Sequence, residues 1–314
     1  MIRSFRDALR DSLMALVETN KDFVVLNADS ARVLNLDIFK ATYPDRIFCY
    51  GISEADMLSA AAGLSTTGIV PIVVGFSMFV TEKPFEQIRQ SICYPNLNVK
   101  IIATHAGLCV GQDGATHQTL EDLTVMRSLP NMKVFVAADA AQTTAAIQAM
   151  MAYKGPCYLR LGRDTAQDLY ESQPEFRIGG SDLLRDGGDV TLAACGLMVD
   201  QSLQAAELLA AEGIQATVLN LYSVKPLDEQ MLLAQAQKTG ALVTVEDHTV
   251  LGGLGGAVAE TLARYLPTPI EFVGTQDTFG ESGTQDELFQ KYGLTAIHIA
   301  NAARRAVARK ATRT

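Results

Sequence analysis

The strongest constraint on this chain is an alternation of two kinds of segment. Short apolar runs, Phe23 to Asn27, Ile47 to Tyr50, Ile72 to Phe76, Val99 to Thr104, Val134 to Ala137 and Cys157 to Leu161, have the composition of strands buried on both faces. Between most of them lie helix-length stretches rich in Ala, Leu, Glu and Gln. The expected architecture is therefore α/β, a doubly wound parallel sheet covered by helices. A second set follows, with strands expected at Val190 to Cys195, Ala216 to Leu221, Leu242 to Glu246 and Ile270 to Val273. Its helices are expected near Met198 to Ala211, Asp228 to Lys238, Ala257 to Tyr265 and Thr295 to Ala308. Periodicity lapses from Arg163 to Gly188, where polar, Gly and Pro residues collect. Two doubly wound domains are expected, 1–165 and 187–314, joined by a linker over 166–186; 314 residues suffice for two cores.

Charge and cysteine usage narrow the function class. With 26 Lys+Arg against 35 Asp+Glu the net charge is −9, the wrong sign for a general nucleic-acid binder. A few local arginines can still build an anion site in an acidic protein. The five cysteines, Cys49, Cys93, Cys109, Cys157 and Cys195, form no C-x-x-C pair, so neither a disulfide framework nor a zinc knuckle is indicated, and a cytoplasmic location is expected. Met1 to Leu13 reads as an amphipathic helix rather than a secretory signal. The longest apolar run, Gly68 to Val80, is too short to span a bilayer and contains Pro71, so no membrane partner is expected.

Several local patterns could carry chemistry. Ser53 followed by Asp56 reads as a helix cap that would place Glu54 in a first turn, where an acid complements the helix dipole with or without a further role. Phe76 and Phe79 sit at the end of an expected strand, able to stack on a planar heterocycle or to pack in the core. The stretch from Ala103 to His117 holds His105, Asp113 and His117, two of the four histidines of the chain, among glycines after another strand. That loop is rich in proton-transfer groups and favours function; a metal is not indicated, because no third ligand pattern accompanies the histidines. Arg6, Arg160 and Arg163 are candidates for a phosphate clamp. Gly252-Gly253-Leu254-Gly255-Gly256 after Glu246-Asp247-His248 reads as a tight helix start.

In their order, the stretches 51–80, 86–139 and 155–163 resemble the pyrimidine-binding domain of transketolase, and SVKPLD, TVEDHTVLGGLGG and FGESGTQDEL resemble the third domain of that superfamily. The sequence shows no Gly-Asp-Gly followed some way on by an Asn pair, the signature of the family's diphosphate-binding domain. The resemblance is thus to the C-terminal subunit of a split transketolase. It implies a thiamine diphosphate enzyme that moves a two-carbon ketol unit from a ketose to an aldose. It also implies an N-terminal partner subunit holding the diphosphate and Mg²⁺ or Ca²⁺, a 2+2 heterotetramer, and sugar phosphates of the pentose phosphate kind as substrates.

By motif, the resemblance makes Glu54 the carboxylate on the aminopyrimidine, Phe79 its stacking partner and Phe76 a lining residue. It makes His105 and Asp113 sugar contacts, with His105 near the phosphate end, and His117 a proton relay beside the reacting carbon. It makes Arg6 and Arg163 the phosphate-binding arginines. Two departures stand out: Val33 where the family usually has a phosphate-binding Ser, and Glu82 where single-chain members have a Tyr. The alternatives are a subunit resembling 1-deoxyxylulose 5-phosphate synthase or the beta subunit of a 2-oxoacid dehydrogenase, against which the Ala-Thr-His at 103–105 speaks, and a noncatalytic assembly subunit.

Overall fold

In the computed structural model, which describes residues 2–311, the alternation becomes two α/β units. One holds the chain up to Ala106 together with Val125–Phe176, and the other holds Gly107–Thr124 with the chain from Arg177 onward. Residues 107–124, inside the expected first domain, thus pack with the second unit, because strand residues 247 and 249 of that unit hydrogen-bond their backbone.

The strands of the first unit are β1 (Ile2–Ser4), β2 (Phe23–Asn27), β3 (Ile47–Cys49), β4 (Val70–Phe76), β5 (Lys100–Thr104), β6 (Lys133–Val136), β7 (Cys157–Arg160) and β8 (Thr165–Gln167). Six of these are parallel neighbours in the order β6-β7-β5-β4-β2-β3. The chain steps from β2 outward to β3 and returns to β4 on the other side of β2. That reversal creates the crevice at the carboxyl ends of strands where open α/β sheets bind ligands. β2 and β5 are buried at every position, as expected of strands covered on both faces.

The second unit contains β9 (Asp182–Arg185), β10 (Val190–Ala194), β11 (Ala216–Asn220), β12 (Ser223–Lys225), β13 (Leu242–Thr249) and β14 (Ile270–Thr275). Its sheet runs β14-β13-β10-β11-β9, parallel except for the edge strand β9. Helices Met198–Ala210, Glu229–Thr239, Leu254–Tyr265 and Ala296–Ala311 accompany it, close to the expected positions.

Three expectations need correction. The first helix starts at Phe5, not at the N-terminus: Ile2–Ser4 pairs antiparallel with β8, and Ser4 caps the helix by accepting from the Asp7 amide. A three-residue strand completed by a partner so far along the chain leaves no local signature. The expected linker over 166–186 begins within β8 and ends with β9, so both its ends are strands. Ser53 is not a side-chain cap; its hydroxyl donates to Tyr50 O at 2.6 Å.

Lys100 is buried at the start of β5, with Nζ donating to Tyr153 O at 2.7 Å and Gly155 O at 2.8 Å. Burial pushes its pKa below the ordinary lysine value. Lys100→Met would keep the aliphatic stem but leave two carbonyls without their donor. It should destabilise the protein by roughly 2–4 kcal/mol in urea unfolding, and an unchanged midpoint would contradict this.

Candidate active site

The carboxyl edge of the first sheet gathers side chains that are far apart in sequence. β3 ends at Cys49 and leads through Gly51, with φ of +63°, into the helix Glu54–Ser65. Left-handed backbone at Gly51 turns the chain sharply without a Cβ penalty. Glu54 is consequently the first residue of a helix at the sheet edge, only 3% exposed although ionisable. Its carboxylate pairs with Lys83 Nζ, whose side chain is half-exposed. No sequence pattern linked Lys83 to Glu54; they meet because the helical turns after β4 run past the start of the Glu54 helix.

Phe76 ends β4 and Phe79 lies in the helical turn Ser77–Thr81 that follows. Their rings are nearly parallel, at 21° with centroids 6.3 Å apart. Phe76 also stacks face to face on His105, with centroids 4.0 Å apart at 19°. The β4/β5 register, which sets Phe76 opposite Thr104, brings the two together. His105 is buried, with φ of +55°, a left-handed conformation uncommon outside glycine. Strained backbone of this kind persists where the surroundings over-determine it, commonly at functional sites. Its Nδ1 lies 2.8 Å from Thr104 Oγ1.

Two of the three arginine candidates, Arg6 and Arg163, also meet. Asp164 takes Arg6 Nη2 at 2.6 Å and lies 3.6 Å from Arg163 Nε, so one acid is shared between two guanidinium groups. Arg6 Nη1 donates to Val33 O at 2.9 Å, while its buried Nε has no hydrogen-bond partner. Val33 thus holds Arg6 through its backbone carbonyl. Arg160, the third member of the trio, ends β7 and is buried. Two guanidinium groups side by side, one with an unused buried donor, are a combination suited to an anionic group.

Asp113 and His117 belong to the other unit. Asp113 ends the short 3-10 segment Leu108–Asp113 and is exposed; His117 is half-buried, with Nδ1 3.0 Å from Thr116 Oγ1. Gly111 and Gly114, both with positive φ, shape this stretch. The start of the segment is held by Asp247, whose carboxylate accepts from the Leu108 and Cys109 amides at 2.8 and 3.3 Å. Sequence reasoning passed over Asp247, because a strand carboxylate aimed at the backbone of another segment has no local signal. The glycine-rich stretch is a helix start as expected: Glu246 accepts from Leu254 N and Gly255 N, capping Leu254–Tyr265.

Among the described residues, no group of three or more His, Cys, Asp or Glu is placed to hold a metal ion, and no helix is long and apolar enough to cross a membrane. For a planar cofactor the donor set does fit. A buried carboxylate at a helix start, on the sheet edge that also carries near-parallel aromatic rings, suits a ring with both hydrogen-bonding nitrogens and π faces.

Residues 3–188 match the family model of the transketolase pyrimidine-binding domain, and residues 179–299 that of the transketolase C-terminal domain. The chain is 41% identical over 305 residues to a 6-deoxy-6-sulfo-D-fructose transketolase subunit from Clostridium sp. (strain MSTE9), covering 97% of this chain and 95% of that one. It is 36% identical over 290 residues to an apulose-4-phosphate transketolase subunit from Phocaeicola vulgatus, covering 92% and 93% respectively. Among solved structures, a split-gene transketolase described as an inactive beta4 tetramer superposes with a TM-score of 0.92 at 45% identity, covering 98% of this chain and 99% of that one.

Proposed function

Because the chain belongs to the transketolase family, we propose that it is one subunit of a two-chain, thiamine diphosphate-dependent transketolase that transfers a two-carbon ketol unit from a ketose donor to an aldose acceptor. The observation that carries this reading is buried Glu54 on the sheet edge shared with the Phe76–Phe79 pair and His105. When bound, the cofactor supplies an electron sink for cleaving and forming carbon–carbon bonds. Glu54 would hold a ring nitrogen of its pyrimidine by a hydrogen bond, Phe79 would stack on that ring, and Phe76 would line the pocket.

His105 and Asp113 would bind sugar hydroxyls, and His117 would take and return protons at the reacting carbons. Arg6 and Arg163, already turned toward one carboxylate, would grip a terminal anion of the sugar. Phosphate, including that of pentose phosphates, is the first candidate. The sulfofructose and apulose-phosphate relatives show that this family admits other sugars. The diphosphate and its Mg²⁺ or Ca²⁺ would be held mainly by a partner chain in a cytoplasmic 2+2 assembly. Support for a partner comes from the split-gene neighbour, described as an inactive beta4 tetramer.

The test is to co-purify the partner and to incubate the complex with ketose phosphates and aldose acceptors. Products displaced by two carbons are expected. Carbon dioxide release from pyruvate, without ketol transfer, would overturn this reading in favour of a related thiamine diphosphate enzyme.

A further inference from the structure

We infer that Asp247 is a positioning residue that fixes the segment carrying Asp113 and His117; the kinetic part of this inference rests on the sugar-binding and proton-relay roles proposed for those two residues. Successive side chains of a strand point to opposite faces, so the consecutive residues Glu246, Asp247 and His248 of β13 do different work. Glu246 caps the helix Leu254–Tyr265, and the buried His248 directs Nδ1 to Thr249 O at 2.7 Å. Asp247, only 4% exposed, turns the other way, onto the amides of Leu108 and Cys109.

The first amides of a helical turn have no partner within the turn, and a carboxylate can satisfy two of them with charge-assisted bonds. The geometry leaves no room for substitutes. A Cβ on Gly107 would lie 2.3 Å from Asp247 Oδ2 and 2.7 Å from Asp247 O, so the carboxylate rests directly on bare backbone. Asparagine would retain one acceptor but set its own N–H against an amide donor. Glutamate would need space for a further methylene.

The same strand pins the far end of the segment, where Thr249 N donates to Leu120 O at 2.8 Å. Between the two pins, Gln118 Nε2 donates to Gly111 O at 3.1 Å and to Glu281 O at 2.9 Å. A Cβ on Gly114 would come within 2.6 Å of Ser282 Oγ. Asp247 and Thr249 of β13, with Glu281 and Ser282 of the Phe-Gly-Glu-Ser-Gly stretch, thus form a seat for residues 107–120. Backbone held on both sides is how a distant residue sets the placement of reacting groups, and about 1 Å of misplacement can cost ~100-fold in rate.

The experiment compares Asp247→Asn with Glu246→Gln in the chain assembled with its partner, by hydrogen exchange, thermal unfolding and steady-state kinetics. For Asp247→Asn, exchange at Leu108 and Cys109 should rise by about 10- to 100-fold. Its kcat/KM for the sugar should fall by ~100-fold, with thiamine diphosphate affinity retained. For Glu246→Gln, Tm should fall while exchange over 107–120 and the kinetics stay as in the wild type. Unchanged exchange in Asp247→Asn would overturn the inference, as would losses of activity in both variants that simply track Tm. Should Asp247→Asn not fold, the wild type still decides: Leu108 and Cys109 should exchange at least ~10-fold more slowly than Ala115 and Thr116, and equal rates would overturn the inference. Faster exchange in Asp247→Asn, in a complex whose wild type transfers no ketol unit, would uphold the positioning and overturn the transketolase reading instead.

Discussion

Glu54→Gln should lower kcat of the assembled enzyme by about 10³-fold while leaving the fold intact. Glutamine keeps the shape of the side chain and fills the same buried position at the start of the helix Glu54–Ser65. The stability at risk is small. A carboxylate in a first turn contributes ~0.3–1 kcal/mol, and the pair with half-exposed Lys83 adds at most about as much again. The chemistry at risk is large, because an amide can neither hold nor release a proton at the ring nitrogen that Glu54 is proposed to face. Loss of activity with an unchanged unfolding transition therefore separates the two contributions. A Glu54→Gln enzyme turning over within about threefold of the wild type would remove Glu54 from the reaction. The hydrogen-bonded face at the edge of β3 would then be packing, as a first-turn acid can be.

The contrast between Glu54 and Asp247 shows what could be read from the chain alone. The strands were legible where burial on both faces leaves a continuous apolar run: β2 was expected at Phe23 to Asn27 and runs over those residues, and β10 and β11 end one residue short of expectation. The places of Phe76 and His105 at the sheet edge were legible because one ends and the other directly follows such a strand, where the doubly wound fold exposes its crevice, whereas Glu54 and Phe79 lie in the helical turns beyond and took their roles from the resemblance. What connects them was not. Lys83 beside Glu54, Asp164 between Arg6 and Arg163, and Asp247 under Leu108 are lateral contacts set by how elements pack, and no spacing rule encodes them. Ser53 illustrates the opposite error. The Ser-x-x-Asp pattern was present, but the hydroxyl donates to the Tyr50 carbonyl and accepts from no amide of the helix. The allocation of residues 107–124 to the second unit followed from those same lateral contacts, so a boundary drawn from strand periodicity could not place it.

The isolated chain should bind no thiamine diphosphate detectable by calorimetry and should turn over no ketose, and adding the diphosphate-binding partner should raise turnover by at least about 10⁴-fold. The residues of this chain address one end of the cofactor. Glu54 and the Phe76–Phe79 pair offer one hydrogen-bonding carboxylate and stacking surface, worth roughly 0.5–1.5 kcal/mol for an aromatic pair and ~1.5–3 kcal/mol for a bond to a charged group. That sum amounts to millimolar affinity at best once the cost of immobilising the ligand is met. Useful affinity must come from charge-assisted bonds to the diphosphate and its metal, which the proposed division of labour assigns to the other subunit. The two halves then bind cooperatively, because each pays less when the other has already ordered the ligand. Micromolar or tighter binding of thiamine diphosphate with Mg²⁺ by this chain alone would show that it carries a complete diphosphate site, and the two-chain reading would fall with it. Absent heat from the chain alone, followed by saturable heat and ketol transfer in the mixture, would place the catalytic unit at the junction of two gene products.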